Sequence, residues 1–213
     1  MSFSQESPRD AVVLFVCTAN RCRSPMAEAL MRAAARDRGA HVEVQSAGLH
    51  PAGQPVDPKA VRAVSRHDVE LSGYRSRQLT RQDLDRAALV LTMERRHVLA
   101  AVDLQPDVWP RCFTLKDLLA RSEERGDRHP DDDVATWVRR LHKGRRPTDV
   151  LSGDSVMDVA DPVGLSPRAF RRTADELKMA TATLADLLNA APPVTIVLPS
   201  DSPKRRLTSA WRR

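Results

Sequence analysis

The chain has 213 residues, a length that fits one globular domain with a substantial apolar core. Its 34 Lys and Arg residues exceed its 28 Asp and Glu residues and leave a net charge of +6, but five basic residues and a single acid fall in positions 191–213. The rest of the chain is close to neutral, so the composition argues against a broad basic face and against a nucleic-acid partner.

The N-terminus and the cysteine content bear on the compartment. The segment Met1 to Pro8 has neither the charged nor the apolar stretch of a secretion signal, and three cysteines cannot form a disulfide framework. The apolar run from Ala11 to Cys17 is far shorter than the roughly 20 residues that a membrane span needs. The sequence therefore predicts a cytoplasmic protein with no membrane partner.

The first two predicted elements are a buried strand and a helix that follows it closely. Residues 11–16 form a continuous β-branched and aromatic run, which is typical of a strand covered on both faces. We expect Ser24 to cap the helix and Pro25 to occupy its first position, after which an apolar stripe ends near Gly39.

Further strands and helices alternate along the chain. Strands are predicted at 41–45, 87–92 and 110–113. Helices are predicted at 56–69 and 134–141, and a further helix begins at about 94. A short helix follows the last strand and ends at 118, and a long helix extends from Ser166-Pro167 to about Leu188. This alternation is typical of an α/β fold in which helices cover both faces of a parallel sheet.

The predicted domain organisation has three parts. Residues 1–10 are a polar leader, residues 11–191 are one α/β domain, and residues 192–213 are a basic tail with prolines that is extended or disordered. Within the domain, residues 122–153 form a charged insertion.

The candidate catalytic residues are concentrated where the first strand ends. Cys17 precedes Arg23 by six positions, a spacing that is weak alone but sits here between a buried strand and a helix. Backbone N–H groups and the positive helix end can hold an anion there and stabilise a nucleophilic thiolate, while Arg23 offers a planar donor fork to two phosphoryl oxygens. The loop positions expected to surround the phosphate are Thr18, Ala19, Asn20, Arg21 and Cys22.

Other side chains of the loop have supporting roles in this interpretation. The Ser24 hydroxyl can hydrogen-bond the sulfur, and Asn20 can brace the loop because it bonds nearby backbone and tolerates left-handed geometry. Cys22 either forms a protective disulfide with Cys17 on oxidation or fills space. Cys112, alone in a predicted strand, is expected to lie in the core.

A cysteine nucleophile needs a group that protonates the leaving oxygen. Asp161 is the candidate, because Asp161-Pro-Val-Gly164 is a turn sequence that can project a carboxylate inward. Asp158 and Asp154 lie nearby and are alternatives.

Four segments of the chain resemble the low-molecular-weight protein-tyrosine phosphatase family of bacterial type, in order, over residues 11–188. They are Val16-Cys-Thr-Ala-Asn-Arg-Cys-Arg-Ser-Pro25, Ser46-Ala-Gly48, Arg77-Gln-Leu79 with Leu91-Thr-Met93, and Asp161-Pro162. The resemblance implies a four-stranded parallel sheet, a phosphate loop between the first strand and the first helix, no metal and no cofactor.

The resemblance also assigns roles to residues. It implies Cys17 as the nucleophile, Arg23 as the phosphate ligand and Asp161 as the general acid. Its supporting residues correspond to Asn20, Ser24 and Ser46.

Three positions depart from the family pattern. Val163 stands where the family usually has an aromatic ring after Asp-Pro, and Tyr74 stands where many members have a histidine that braces the loop. Arg21 occupies a position that is often apolar in tyrosine phosphatases, and it either adds affinity for anions or faces solvent.

The predicted function is phosphomonoester hydrolysis through a phosphocysteine intermediate, with a phosphorylated protein, and phosphotyrosine in particular, as substrate. Phosphoarginine hydrolysis is an alternative that differs in substrate alone. Thiol-dependent arsenate reduction is another, although it needs a further pair of cysteines. A module that binds phosphate or nucleic acid without catalysis is the alternative from a different class, although a binding site does not need a cysteine, an arginine and an acid together.

Overall fold

A computed structural model describes residues 11–152 and 155–189, so the predicted leader and tail lie outside the described residues. Four strands form one parallel sheet in the order β2-β1-β3-β4. They are β1 (Ala11–Cys17), β2 (Val42–Gly48), β3 (Leu89–Thr92) and β4 (Cys112–Thr114). Cys17 pairs with Gly48, and Val16 pairs with Thr92, so the carboxyl ends of β1, β2 and β3 meet at one edge.

Eight α-helices accompany these strands in the described part of the chain. They are α1 (Arg23–Arg38), α2 (Pro58–Val64), α3 (Arg81–Arg86), α4 (Arg95–Leu104), α5 (Leu115–Arg125), α6 (Val134–His142), α7 (Pro147–Ser152) and α8 (Pro167–Leu188). None of these described helices combines the length and the apolar character that crossing a membrane requires.

The core divides into two layers because side chains alternate along a strand. Val13 and Phe15 of β1 belong to the layer that includes buried side chains of α1, α2 and α8. Leu14 and Val16 belong to the layer that includes buried side chains of α3 and α4. The predicted fold class, a four-stranded parallel sheet with helices on both faces, is confirmed.

The helix predicted at 56–69 is wrong in extent. Its α-helical part is α2, which begins where the Asp57 carboxylate accepts a hydrogen bond from the Lys59 N–H at 2.7 Å. A 3₁₀ turn (Ser65–His67) follows, and Asp68 then adopts a left-handed φ of 58°. A left-handed residue cannot continue a right-handed helix, which is why the element stops there.

Other predicted boundaries also differ from the structure. The strand predicted at 41–45 continues to Gly48, and the helix predicted to end at 118 continues to Arg125. The strand predicted at 110–113 begins at Cys112, because Pro110 lies within a 3₁₀ turn (Pro106–Arg111). The sequence analysis missed α3, whose one buried residue is Leu84 and which therefore has no apolar stripe.

Part of the charged segment predicted as an insertion packs against the domain. Helix α6 buries Trp137, Val138 and Leu141 in the core layer that contains Phe113 of β4. Arg145, which is also buried, has its guanidinium carbon 3.9 Å from the centre of the Phe113 ring. This cation–π contact joins the segment to the sheet.

Candidate active site

The loop 17–22 joins β1 to α1 at the carboxyl edge of the sheet. Asn20 has a left-handed φ of 51°, and the Thr18 carbonyl accepts backbone hydrogen bonds from Leu49 at 2.7 Å and from His50 at 3.0 Å. A Cβ atom at Gly48 would lie 2.7 Å from the Ala19 carbonyl carbon and 2.6 Å from the Asn20 nitrogen. The end of β2 therefore packs directly against the loop backbone.

The hydroxyl of Ser24 points at the sulfur of Cys17. Ser24 Oγ lies 3.0 Å from Cys17 Sγ, and both side chains are buried. The prediction that Ser24 caps α1 is wrong, because this helix begins at Arg23 and its N-cap residue, Cys22, makes no side-chain capping bond. Ser24 therefore lies inside the helix, one position after its start, and its hydroxyl donates to the sulfur and accepts from the Asn20 amide.

Asn20 braces the loop with both ends of its amide. Its Nδ2 donates to Ser24 Oγ at 2.9 Å and to Ser46 Oγ at 2.8 Å. Its Oδ1 accepts from the backbone N–H of Arg77 at 2.7 Å and lies 3.1 Å from the Tyr74 hydroxyl. The three predicted supports therefore form one hydrogen-bonded group around the loop.

Behind this group lies a carboxylate that the sequence analysis did not identify. Ser46 Oγ donates to Glu28 Oε2 at 2.6 Å, and the Tyr74 hydroxyl lies 3.1 Å from the same oxygen. Burial, together with the charge of Glu28, raises the pKa of Tyr74 to about 12. Tyr74 is therefore a neutral hydroxyl group that contacts the brace at the position expected from the family pattern.

Arg23 is almost completely buried, with 1% of its surface exposed. Its guanidinium contacts the Glu94 carboxylate, donates to the Val159 carbonyl at 2.9 Å and donates to Asp161 Oδ2 at 2.6 Å. Glu94 is a second carboxylate that the sequence analysis missed. It directly follows the Leu91-Thr-Met93 segment, which was the available signal.

Asp161 lies in the turn that was predicted from its sequence. Its Oδ1 accepts from the Val163 N–H at 3.1 Å, and its side chain is 37% exposed. Of the two alternatives, Asp158 accepts from the Arg95 backbone N–H at 2.9 Å, and Asp154 lies outside the described residues. Asp161 is thus the carboxylate of this segment that contacts Arg23.

Two residues in the first turn of α4 contact the other side of the loop. His97 Nε2 lies 2.9 Å from Thr18 Oγ1, and Arg96 donates to the same oxygen at 3.1 Å. Burial lowers the pKa of His97 to about 4, so its imidazole is neutral. Burial alone would raise the pKa of Glu94, but hydrogen bonds from Arg96 and Arg23 lower it overall.

The cysteines other than Cys17 are buried. Burial and the neighbouring Cys17 raise the pKa of Cys22, and burial raises the pKa of Cys112 to about 12. The predicted core position of Cys112 is confirmed, and all three cysteines are free. Within residues 11–152 and 155–189, no group of three or more His, Cys, Asp or Glu side chains could hold a metal ion.

The rim of the site is formed by the loops around the phosphate loop. Arg21 donates through Nε to the Pro55 carbonyl at 2.9 Å. On the Asp161 turn, Val163 and Leu165 expose 57% and 54% of their surfaces. The bottom of the site therefore contains the buried Arg23 guanidinium and its carboxylate partners, and the rim combines Arg21 with exposed aliphatic side chains.

Comparison with known proteins gives concordant matches. The model of the low molecular weight phosphotyrosine protein phosphatase family matches residues 12–132. A protein-arginine-phosphatase of Bacillus subtilis is 31% identical over 178 residues, which are 83% of this chain and 95% of that protein. A crystal structure of a low molecular weight protein tyrosine phosphatase from T. tengcongensis matches with a TM-score of 0.62 and 30% identity, over 83% of this chain and 99% of that one.

A shorter match has higher identity. A Ralstonia solanacearum protein, named "probable low molecular weight protein-tyrosine-phosphatase EpsP", is 44% identical over 82 residues. That match covers 38% of this chain and spans about half, 54%, of the Ralstonia protein. The family-model match and the long Bacillus match show that the chain belongs to the low molecular weight phosphotyrosine protein phosphatase family, whose members are hydrolases.

Proposed function

We propose that this protein hydrolyses phosphate monoesters on proteins, phosphotyrosine in particular, through a phosphocysteine intermediate on Cys17. The observation that carries the proposal is the contact between Cys17 Sγ and Ser24 Oγ at 3.0 Å, at the start of α1, whose first residue is the buried Arg23. A sulfur that accepts a hydrogen bond at a helix N-terminus has the surroundings of a reactive thiolate.

In the first step the Cys17 thiolate attacks phosphorus, an S–P bond forms and the P–O bond to the leaving group breaks. Arg23 holds two phosphoryl oxygens through its donor fork and stabilises the negative charge of the transition state. Asp161 gives its proton to the departing oxygen. Arg23 donates to Asp161 Oδ2; when the substrate phosphate takes over the guanidinium, the carboxylate takes up a proton from solvent, and this is the proton that it gives to the leaving oxygen.

In the second step water attacks the phosphocysteine, and the S–P bond breaks. Asp161, now a carboxylate, accepts a proton from the water as it attacks. Ser24 hydrogen-bonds the sulfur and stabilises the departing thiolate, since its hydroxyl already points at Sγ. Inorganic phosphate leaves, and the site returns to its starting state.

The test measures phosphate release from aryl phosphate and phosphotyrosine substrates, without added metal, by wild type, Cys17→Ser and Asp161→Asn proteins. We expect Cys17→Ser to abolish turnover while the fold persists. Asp161→Asn should slow hydrolysis of poor leaving groups by roughly 100- to 10,000-fold, because general acid catalysis contributes about that much. Full activity of Cys17→Ser would refute the mechanism, and full activity of Asp161→Asn would move the acid to Asp158 or Asp154.

Phosphoarginine is the second candidate substrate. The observation in its favour is the Bacillus relative named protein-arginine-phosphatase, which aligns with 83% of this chain. The phosphoryl group is transferred to the same sulfur, but the bond that breaks is P–N, and Asp161 gives its proton to the departing guanidine nitrogen. Values of kcat/KM for matched phosphotyrosine and phosphoarginine peptides, measured side by side, decide between the two.

A further inference from the structure

Two arginines lie at the rim, one on each side of the phosphate loop. Arg21 bonds the Pro55 carbonyl in the segment that follows β2, and Arg96 lies in the first turn of α4, which follows β3. Because β2 and β3 flank β1 on opposite sides, these two arginines stand on opposite sides of Cys17. Neither has a role in the mechanism above.

Both side chains are held by the Nε end of the guanidinium, which leaves donors available. Arg96 Nε lies 2.6 Å from Glu94 Oε2, and its NH2 group contacts Thr18 Oγ1 and Glu94. Its side chain is 59% exposed, and its NH1 group has no partner in the described part of the chain. The two terminal nitrogens of Arg21 likewise have none among the described residues.

The acids of the site leave donors of both arginines available. Glu94 is shared between Arg23 and Arg96, Asp161 is engaged by Arg23, and Asp57 accepts a hydrogen bond from the backbone of Lys59 at the start of α2. Asp161 and Asp158 also interact electrostatically with Arg96, but no side-chain carboxylate among the described residues bonds its NH1 group or the terminal nitrogens of Arg21. A substrate phosphate will be bound by Arg23 and by the loop. The free donors of Arg21 and Arg96 are then available to the substrate residues that flank the phosphorylated one.

We infer that the protein selects phosphorylated segments that carry carboxylate side chains on both sides of the phosphorylated residue, with Arg21 and Arg96 as the residues that recognise them. This specificity rests on the proposed function of the same site. Strands β2 and β3 lie about 10 Å apart across β1, and an extended peptide advances about 3.3 Å per residue. Side chains one to three positions before and after the phosphorylated residue therefore reach the two guanidinium groups.

The test compares two phosphotyrosine peptides that are identical except that Glu residues flank the phosphotyrosine in one and Gln residues in the other. We expect wild type to favour the Glu peptide by about 3- to 10-fold in kcat/KM at low ionic strength, the modest effect of two exposed ion pairs. The preference should approach one at high salt, because salt screens such pairs. Arg21→Gln and Arg96→Gln should each reduce the ratio, and the double variant should abolish it.

The ratio between the peptides separates recognition from any general loss of activity, since a common fall in turnover cancels. Arg139→Gln, a change at an exposed arginine of α6, is the matched control and should keep the wild-type ratio. The ratio of the two peptides' affinities for Cys17→Ser protein measures the same preference without turnover. A ratio of one in wild type, or an unchanged ratio in the double variant, would overturn the inference. Absence of Cys17-dependent hydrolysis with a binding ratio above one would instead contradict the proposed function alone.

Discussion

At the scale of single residues, Arg23 sets the charge balance of the site. A guanidinium that is 1% exposed needs partners, because an unpaired buried charge costs several kcal/mol. Glu94, the Val159 carbonyl and Asp161 supply them. Asp161 is the most exposed of these groups and is therefore the one that an incoming phosphate displaces.

Glu94 should position Arg23 without touching the substrate. Glu94→Ala removes a charge-assisted hydrogen bond, so we expect phosphate affinity to fall by about 10- to 100-fold, which corresponds to the 1.5–3 kcal/mol that such bonds contribute. The inhibition constant of inorganic phosphate measures the loss. Glu94→Gln keeps one acceptor, so its phosphate affinity should lie between those of wild type and Glu94→Ala. Equal phosphate affinity in Glu94→Ala and wild type would contradict this positioning role.

His97 should make stability depend on pH. Its folded pKa of about 4 lies below the unfolded value of 6.5, so as the pH falls from 6.5 towards 4 the unfolded chain binds a proton that the folded protein excludes. Buried beside Thr18, His97 faces Glu94 and Arg23 from other elements and Arg96 from α4.

The expected loss is about 2 kcal/mol in the free energy of unfolding between pH 6.5 and pH 4.5. Urea unfolding across that range measures it, and in His97→Asn this contribution should be absent. His41→Asn, which changes an exposed histidine, is the control and should keep the wild-type slope. Equal slopes in wild type and His97→Asn would show that His97 is protonated normally in the folded protein.

At the scale of elements, the end of β2 shapes the phosphate loop. Gly48 donates its N–H to the Arg77 carbonyl at 2.9 Å, while the loop backbone crosses where its Cβ would be. A gap of 2.6 Å to a backbone nitrogen cannot be relieved by rotating a side chain. Glycine is therefore required at position 48, because the backbone of the phosphate loop passes too close to leave room for a Cβ atom. This contact joins the end of β2 to the phosphate loop.

Gly48→Ala should displace the loop and impair catalysis. A shift of about 1 Å in a reacting group can cost roughly 100-fold, so we expect a loss of that order in kcat/KM for aryl phosphate. Gly126→Ala is the matched control. Gly126 ends α5 with a φ of 87° and lies far from the loop in sequence, so alanine there should strain the backbone but leave kcat/KM for aryl phosphate unchanged. Wild-type kinetics in Gly48→Ala would mean that the loop tolerates the added methyl group.

At the scale of the whole molecule, the charged segment and the sheet share one core. Helix α6 inserts Trp137 into the layer that also contains residues of β1, α1 and α8. Helix α5, which continues directly from β4, packs against α6 and α8. Unfolding of α6 would therefore expose apolar surface of the domain that carries the site.

Trp137→Ala should lower the free energy of unfolding by about 3–5 kcal/mol, the usual cost of removing a large buried aromatic side chain. Chemical denaturation measures the change. Trp137→Phe should cost less, because the indole N–H has no hydrogen-bond partner among the described residues and Phe fills most of the space. Unchanged stability in Trp137→Ala would show that α6 is not part of the cooperative core.

The sequence alone determined those features that are written in neighbouring residues. The buried strand, the loop from Cys17 to Arg23 and the helix after it are local, because an apolar run, a short spacing and a glycine stop suffice to recognise them. The alternation of strands and helices likewise determined the fold class. Asp161 was selected by a turn sequence together with a family resemblance, and the structure places it beside Arg23.

The tertiary structure decided which distant residues complete the site. Glu94 and Arg23 are 71 positions apart, and His97 and Thr18 are 79 positions apart. No local pattern marks such pairs, because they meet only when parallel strands bring their carboxyl ends together. The hydrogen bonds of Ser24 were also decided by tertiary structure. The sequence suggests an N-cap, but the helix already begins at Arg23, and the Ser24 hydroxyl bonds the Cys17 sulfur and the Asn20 amide.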